Sequence, residues 1–543
     1  MTLVFQLGNQ QFNIHADRIE ETKEGLILHG AQATVNLPTS PQSYYRHGWQ
    51  SWGLTAWLDP QFQLPVQKPT LLHLMQTDPL YVDYLAPNGA WLGAVEFEGG
   101  NSLLLGALGL EAHVALHGDQ TRSDAAQLHG WYDSGSGEWF VGFGSEDVVF
   151  TAYANLLGDR LGKTKKEKSP RVWCSWYSLY TAIDEPLLYR VFDELGDLPF
   201  DVLQVDDGWQ VNVGDWQPNA KFPSGMEMLA QKIKTTGRRA GLWLAPLIAL
   251  KSSQLFRTHP DWFLRDTGGT ITSAGFNWGE PFYALDTTHP AVLEWLAALM
   301  KQVRAWGFDY LKLDFLFAGA LPGQRYQNMP REAAYRQGLK VIQESMGEDA
   351  YSLTCGAPIL PSLGLCDAMR IGPDVSEEWE NYRDARLLYN PTTPGARNAI
   401  RTSVNRLWLK PLVHTDPDVA YFCSIQNSLS IDQRLLLQDL ALVCDFKATS
   451  DPPQWLNETE HDQLYAFLES KPVVERTGRY RFSLDGREVD FGPAVLLPQA
   501  PKGFETLASV AMGWLGNQGW ALKLFDQQRK RVLQKKLKDL DKY

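Results

Sequence analysis

Up to about residue 165, apolar and polar positions alternate in short runs such as Gly25–His29, Trp91–Glu98, Ser102–Ala107 and Trp139–Val141. A period of two marks a half-buried strand. Gly, Asn, Asp and Pro break the runs, and this spacing predicts an N-terminal β-sandwich over residues 1–165. A basic, proline-terminated stretch, Gly162–Pro170, reads as a linker. Beyond Pro170, short apolar runs alternate with longer helical stretches. Eight runs read as strands: Val172–Ser178, Val202–Asp206, Ala240–Ala245, Tyr310–Asp314, Ser352–Cys355, Ala368–Ile371, Lys410–Val413 and Leu440–Cys444. Glu185–Leu195, Ala291–Trp306 and Arg331–Glu344 read as helices between them. Eight such repeats predict a (β/α)8 TIM barrel over residues 171–450. The Gly-rich first turn of a doubly wound sheet does not follow Val172–Ser178. The runs Arg479–Ser483, Ala494–Leu497 and Ala521–Leu524 predict a small C-terminal antiparallel β domain over residues 451–543. The basic tail Arg529–Lys542 reads as a solvated helical face. The fold class expected is therefore multidomain, with a central barrel between two β domains.

Composition narrows the function classes. A length of 543 residues agrees with several domains, and 44% hydrophobic with 21% charged residues is ordinary for a globular chain. A net charge of −13 argues against a nucleic-acid partner, which would need a basic surface. No apolar run reaches the roughly 18 residues of a membrane span, so no membrane association is expected. Met1–Gln11 lacks a basic region followed by a long apolar stretch, and no signal peptide is expected. The five cysteines, Cys174, Cys355, Cys366, Cys423 and Cys444, are odd in number and form no C-x-x-C pair. Free thiols in a cytoplasmic protein fit that pattern better than disulfides or zinc. The GKT of Gly162–Thr164 is no P-loop, because Leu157 stands where the first Gly is required. With 20 Trp, 20 Tyr and 24 Phe, the aromatic content hints at carbohydrate, whose C–H faces stack on rings.

In a barrel of this kind, chemistry sits at the C-terminal ends of the strands. Those ends carry Asp206-Asp207-Gly208-Trp209, then Trp243, Lys312-Leu313-Asp314, Cys355-Gly356, Arg370-Ile371-Gly372-Pro373-Asp374, Asp416-Pro417-Asp418, and a last end near Asp445. Five of the eight predicted ends thus offer a carboxylate, more than helix capping explains. Metal-dependent hydrolysis would want histidines as well, and only His414 lies near a predicted strand end. Lys312 qualifies by position for a Schiff base. It shares a strand face with Asp314, however, and reads better as the cation that keeps Asp314 ionised. An ionised carboxylate opposite a protonatable one, among Trp and Asp, is the arrangement of a glycosidase. Asp314 would attack the anomeric carbon, Asp374 would act as acid and then base, Asp206 and Asp207 would accept sugar hydroxyls, and Trp176 and Trp243 would offer apolar faces.

The motifs WCSWYS, QVDDGWQ, GLWLAP, LKLDF, LTCGAP, RIGPD and TDPD, in that order, resemble the α-galactosidases of glycoside hydrolase family 36, which are related to family 27. The resemblance implies a retaining mechanism, with Asp314 as nucleophile and Asp374 as acid/base. It also implies that Asp206 and Asp207 hold the hydroxyls at C4 and C6, and that Lys312 contacts those at C3 and C4. Arg370, Cys355 and Gly356 would line the region around C2, and Trp176 and Tyr177 would face the substrate. An aromatic residue from the N-terminal domain reaches the sugar in this family, and Gly48-Trp49-Gln50-Ser51-Trp52 offers Trp52, with Trp49 second. The chain lacks the long extensions and the CASGGGRFD segment of the larger branch.

The reading is a retaining exo-α-galactosidase acting on oligosaccharides such as melibiose and raffinose, as a monomer or small homo-oligomer. No cofactor is implied, since two carboxylates and water suffice. The alternatives are an α-N-acetylgalactosaminidase, a raffinose-synthase-like transferase, and a catalytically silent sugar-binding protein.

Overall fold

Alternation produces strands at the N-terminus as expected. In the computed structural model, residues 2–8, 10–62, 77–81, 86–118, 126–166, 168–380, 390–497 and 503–538 are described. Two antiparallel sheets, of six and seven strands, face each other. The long strand Gly137–Ser145 pairs on one side with Asn101–Ala107 and on the other with Leu26–Gly30. Between the sheets lie Leu28, Val35, Leu103, Leu105, Trp139 and Val141, all fully buried. A helix, Glu146–Leu161, closes this unit and buries Val149, Phe150, Tyr153 and Leu157.

The stretch read as a linker is strapped to the barrel. Thr164 donates to the carbonyl of Cys366, Lys165 Nζ to that of Lys410 at 2.9 Å, and Lys166 Nζ to that of Ala350 at 2.6 Å. These carbonyls all precede barrel strands, so the strap runs under the barrel, opposite the strand ends that carry the carboxylates.

The barrel strands are Arg171–Cys174, Val202–Val205, Arg239–Leu244, Tyr310–Leu313, Tyr351–Thr354, Ala368–Arg370, His414–Asp416 and Lys447–Thr449, here called strands 1 to 8. Seven parallel pairings join them in the order 7-6-5-4-3-2-1-8, a nearly closed barrel. Strands 2, 4 and 5 are buried at every position, as expected where helices cover the outer face.

The last two strands are displaced from their expected positions. Lys410–Val413 forms the end of a turn, and strand 7 begins at His414. Leu440–Cys444 is the last part of a helix, Ile431–Cys444. That helix starts with a capping box, in which Ser430 and Gln433 satisfy each other's backbone N–H groups. Asp445 is its left-handed C-terminal cap, so it precedes strand 8 and does not belong to the carboxylate end.

The C-terminal region is more helical than expected. A three-stranded antiparallel sheet, Val474–Gly478, Arg481–Leu484 and Arg487–Asp490, follows a helix at Glu458–Glu469. Ala494–Leu497 is not a strand, because Gly492–Val495 turns as a short helix with Pro493 in its first turn. Ala521–Leu524 lies inside the helix Gly519–Lys538, which also holds most of the basic tail; residues 539–542 of that tail lie outside the described residues. No helix among the described residues is long and apolar enough to cross a membrane.

Two buried side chains fix the sandwich to the barrel. Glu332, at the start of the helix Arg331–Met346, accepts the indole N–H groups of Trp49 at 2.9 Å and Trp91 at 3.1 Å, and the amide of Glu111 at 2.6 Å. Arg406, between strands 6 and 7, donates to the carbonyls of Gly48, Gln50, Ser51, Gly53 and Ile371. A sandwich loop is thereby drawn over the carboxylate end of the barrel.

Candidate active site

Strand 2 ends in two buried aspartates with different surroundings. Asp206 accepts from Lys312 Nζ at 2.9 Å and Gln204 Nε2 at 2.6 Å on one oxygen, and from the amide of Asp207 at 2.9 Å on the other. Asp207 accepts from Gln210 Nε2 at 2.6 Å and from Trp278 Nε1 at 2.7 Å. Burial pushes the Asp207 carboxyl up to about 6, against the pull of those two donors.

Lys312 departs from expectation. Its ammonium pairs with Asp206, not with Asp314, and both groups are buried. Burial opposes its charge most strongly, but Asp206 together with Cys174 and Cys355 outweighs it and raises the ammonium pKa. Asp314 is oriented by other donors: Trp243 Nε1 at 3.0 Å on one oxygen and the Phe315 amide at 2.8 Å on the other. Trp243 is 1% exposed, so it serves Asp314 through its N–H and is no open stacking face. Phe315 takes a left-handed conformation, φ 54°, which turns the chain sharply after strand 4.

Strand 6 delivers Arg370 beneath Asp374. The guanidinium contacts Asp374 Oδ1 at 3.0 Å, Asp416 Oδ2 at 2.9 Å, Asp418 Oδ1 at 2.9 Å and the Tyr177 hydroxyl at 3.3 Å. The Tyr177 hydroxyl in turn donates to Asp418. Burial raises the Asp374 carboxyl; Arg370 pulls it down, and the charge of Asp314 pushes it up again. Asp374 nevertheless keeps 33% of its side chain exposed, while Asp314 keeps only 8% of its surface. The more open carboxyl, Asp374, thus holds its proton more tightly than an ordinary aspartate does.

The sandwich loop reaches this cluster. Ser51 exchanges hydrogen bonds with Ala357, just after strand 5. The Trp52 ring packs edge-on against Phe315 and Phe317. Gly356 sits below it at φ 53°, where a Cβ would lie 2.7 Å from the indole, so only glycine fits. Trp52 Nε1 is buried without a hydrogen-bond partner among the described residues. Trp49 instead spends its N–H on Glu332. Cys355 is buried beside Gly356, and burial raises its thiol pKa. Trp176, half-buried after strand 1, packs on Tyr180.

The expected residues therefore converge on one end of the barrel. His414 and Asp367 lie at the other end: His414 Nε2 faces the Lys166 carbonyl, and Asp367 holds Ser352 and Lys166. Two residues beyond the barrel strands' C-terminal ends had no sequence reading. Asp451, two residues past strand 8, accepts the amides of Phe422 and Cys423, and burial lifts it to about 6. Trp278 stands on the hairpin after strand 3, and its one local signal was the Asn-Trp-Gly turn. Among the described residues, no group of three or more His, Cys, Asp or Glu is placed to hold a metal ion.

Comparison with known proteins agrees with this geometry. A family model described as Melibiase matches residues 142–346. α-Galactosidase 2 of Pediococcus pentosaceus is 32% identical over 183 residues, which is 32% of this chain and 24% of that protein. α-Galactosidase AgaA of Geobacillus stearothermophilus is 26% identical over 201 residues, 34% of this chain and 26% of that protein. The matched stretch is thus about a quarter of the length of these curated relatives. The solved structure of TtGalA, an α-galactosidase from Thermus thermophilus in complex with p-nitrophenyl α-D-galactopyranoside, is similar over 91% of this chain and 100% of that one. It has 45% sequence identity and a TM-score of 0.86. The crystal structure of AgaA, a GH36 α-galactosidase, shares the fold at 15% identity and a TM-score of 0.56, over 84% of this chain and 67% of that one.

Proposed function

The chain belongs to the α-galactosidases of glycoside hydrolase family 36, and from that premise we propose that it hydrolyses terminal α-D-galactosyl residues with retention of configuration. One observation carries the reading. Two carboxylates share one barrel end, and the more open one, Asp374, has its pKa raised by burial and by the charge of the other, Asp314. A carboxyl made easier to protonate, facing a second carboxylate, is what an acid/base and a nucleophile require.

Asp314 attacks the anomeric carbon, and Asp374 gives its proton to the glycosidic oxygen. The bond to the aglycone breaks with its electron pair on that oxygen, leaving a galactosyl ester on Asp314. Asp374, now a carboxylate, takes a proton from water, whose oxygen displaces Asp314 from the opposite face. Two inversions give net retention. Asp206, Asp207 and Lys312 hold sugar hydroxyls, with Cys355, Gly356 and Arg370 toward C2. Trp52 closes the sugar from the sandwich side with its ring, which packs against Phe315 and Phe317. Trp176, in the short helix after strand 1, faces the cleft, Tyr177 beside it steadies Asp418 and Arg370, and Trp243 keeps Asp314 aimed. Arg370 acts by holding Asp374, since its contacts go to protein groups.

The substrates are oligosaccharides such as melibiose and raffinose. A stachyose complex of TtGalA, 46% identical with a TM-score of 0.81, supports that class. Five free, buried cysteines support a reducing, cytoplasmic setting.

The test is a panel of p-nitrophenyl glycosides of α-galactose, α-N-acetylgalactosamine, α-glucose and β-galactose. α-Galactoside should be turned over fastest. Asp314→Ala should lose several powers of ten, and azide should partly restore it to give the β-galactosyl azide. Preference for another glycoside, or full activity in Asp314→Ala, would overturn the reading.

A further inference from the structure

The hairpin of Ser273–Asn277 and Glu280–Ala284 rises from the loop after strand 3 and pairs with Ile248–Leu250. Its tip is Asn277-Trp278-Gly279, and Trp278 adopts φ 53°. A bulky side chain in left-handed backbone is strained, and a glycine or asparagine would suit the turn better. Strain kept at one residue points to work done by its side chain. That side chain is half-buried, with its ring 5.2 Å from Phe315, 5.9 Å from Phe282 and 6.4 Å from Trp243, measured between centroids. Its N–H meets Asp207 Oδ2 at 2.7 Å.

We propose that Trp278 is a positioning residue: its indole N–H fixes the Asp207 carboxylate in the orientation that accepts sugar hydroxyls, and so sets selectivity among sugars. The proposal rests on the α-galactosidase reading. Asp207 receives one donor per oxygen, Gln210 on Oδ1 and Trp278 on Oδ2. A carboxylate has about four acceptor sites, so one remains on each oxygen for a substrate hydroxyl. Without the indole donor, Gln210 is the one side-chain donor left to the group among the described residues, and the carboxylate turns away from the pose that reads the sugar.

The same change has a titration signature. Burial raises Asp207, the hydrogen bonds from Gln210 and Trp278 lower it, Asp206 raises it and Lys221 lowers it. Lys312 neutralises Asp206 from the other side. Removing the Trp278 donor raises Asp207 further. Acceptance of hydroxyls needs the carboxylate, so the acid limb of kcat/KM moves to higher pH.

The experiment compares wild type, Trp278→Phe, and a chain carrying benzothienylalanine at 278, which replaces the N–H by sulfur and keeps the ring. The probes are dinitrophenyl α-galactoside, whose leaving group needs no proton, and dinitrophenyl α-glucoside. For both altered chains, kcat/KM on the galactoside should fall about 10- to 100-fold. The galactoside-to-glucoside ratio should fall with it, and the acid limb should rise by about half a unit to one unit. Loss on both sugars in equal proportion, or an unmoved acid limb, would overturn the role. If Trp278→Phe fails to fold, the isosteric chain decides alone. A wild type inactive on every α-galactoside overturns the activity reading and this inference together, whereas an active wild type matched by both altered chains overturns Trp278 only.

Discussion

One guanidinium, Arg370, holds Asp374, Asp416 and Asp418 at the end of strand 6. Asp416 and Asp418 are at most 2% exposed, and each has hydrogen-bond donors in addition to Arg370. Asp374 accepts from Arg370 through one oxygen, and the partial exposure of its side chain leaves room to meet a leaving group and water. A general acid matters most when the leaving group is poor. Asp374→Ala should therefore cripple hydrolysis of raffinose or melibiose, whose leaving groups are alkoxides. A dinitrophenyl galactoside should be slowed much less in its first step. Deglycosylation then limits turnover, because the variant has no base for water. A burst of phenolate followed by slow turnover should appear, and azide should accelerate the slow phase to give the α-azide. Because the acid is gone, the alkaline limb of the pH profile should vanish as well. Equal slowing of both leaving groups without a burst would move the acid elsewhere, and Asp418, whose carboxyl is also raised by burial, would be examined next.

At the scale of elements, the loop of residues 48–53 has no regular structure of its own and depends on Arg406. Five carbonyls converge on that buried side chain, four of them from the loop. Arg406→Lys offers three donors where five acceptors wait, and should cost about 2–4 kcal/mol of stability. If Trp52 closes the sugar, KM for an α-galactoside should rise more than kcat falls. A lowered melting temperature with unchanged KM would remove Trp52 from the substrate. This dependence also shows why parts of the site were hard to read in the chain. The Trp52 loop is set by a residue some 350 positions away, with no local signal. Trp278 lies on an inserted hairpin with no place in the barrel repeat. By contrast, Asp206, Asp207, Lys312, Asp314 and Arg370 end strands 2, 4 and 6, where an apolar run stops at charge. The apolar runs of strands 1 to 6 were legible too, although the run expected to reach Ser178 overshot strand 1, which ends at Cys174 before the short helix Trp176–Leu179. Strands 7 and 8, at His414–Asp416 and Lys447–Thr449, are three residues each and mostly polar. The helix Ile431–Cys444 next to them is apolar enough to pass for a strand, since a short apolar run does not distinguish the two. Ser430 and Gln433 were the readable sign that it is a helix.

At the scale of the whole molecule, the sandwich meets the barrel around the buried carboxyl of Glu332. Burial pushes that carboxyl from 4.5 up to about 7, while Arg331 and the N–H donors of Trp49, Glu111 and Trp91 pull it down. Arg331 also pairs with Asp78 through two bonds of 2.7 and 2.8 Å, and its guanidinium lies 4.9 Å from the Trp49 ring centre. The folded protein thus binds the Glu332 proton more tightly than the unfolded chain does. Its contribution to stability is full below about pH 4.5 and is lost as the pH rises through about 7, up to about 3 kcal/mol. Asp207 and Asp451, both raised to about 6, act with the same sign. Buried histidines act with the opposite sign. Burial lowers His113 to about 3 and also lowers His47 and His414, so their contribution is present above about pH 6.5 and is lost as the pH falls. Between pH 4.5 and 6.5 the two sets oppose each other, and wild-type stability should change little. Glu332→Gln removes one member of the first set. Urea unfolding of wild type and variant at pH 5 and pH 7.5 isolates it, because the groups distant from Glu332 cancel in the comparison and its neighbour Arg331 stays charged at both pH values. The variant has an amide where three N–H groups need an acceptor, so it should be destabilised at both pH values. As the pH rises, wild type should lose about 1–3 kcal/mol relative to the variant. An equal gap at both pH values would mean that Glu332 stays ionised throughout, with its three donors outweighing burial, and that the joint between sandwich and barrel does not respond to pH.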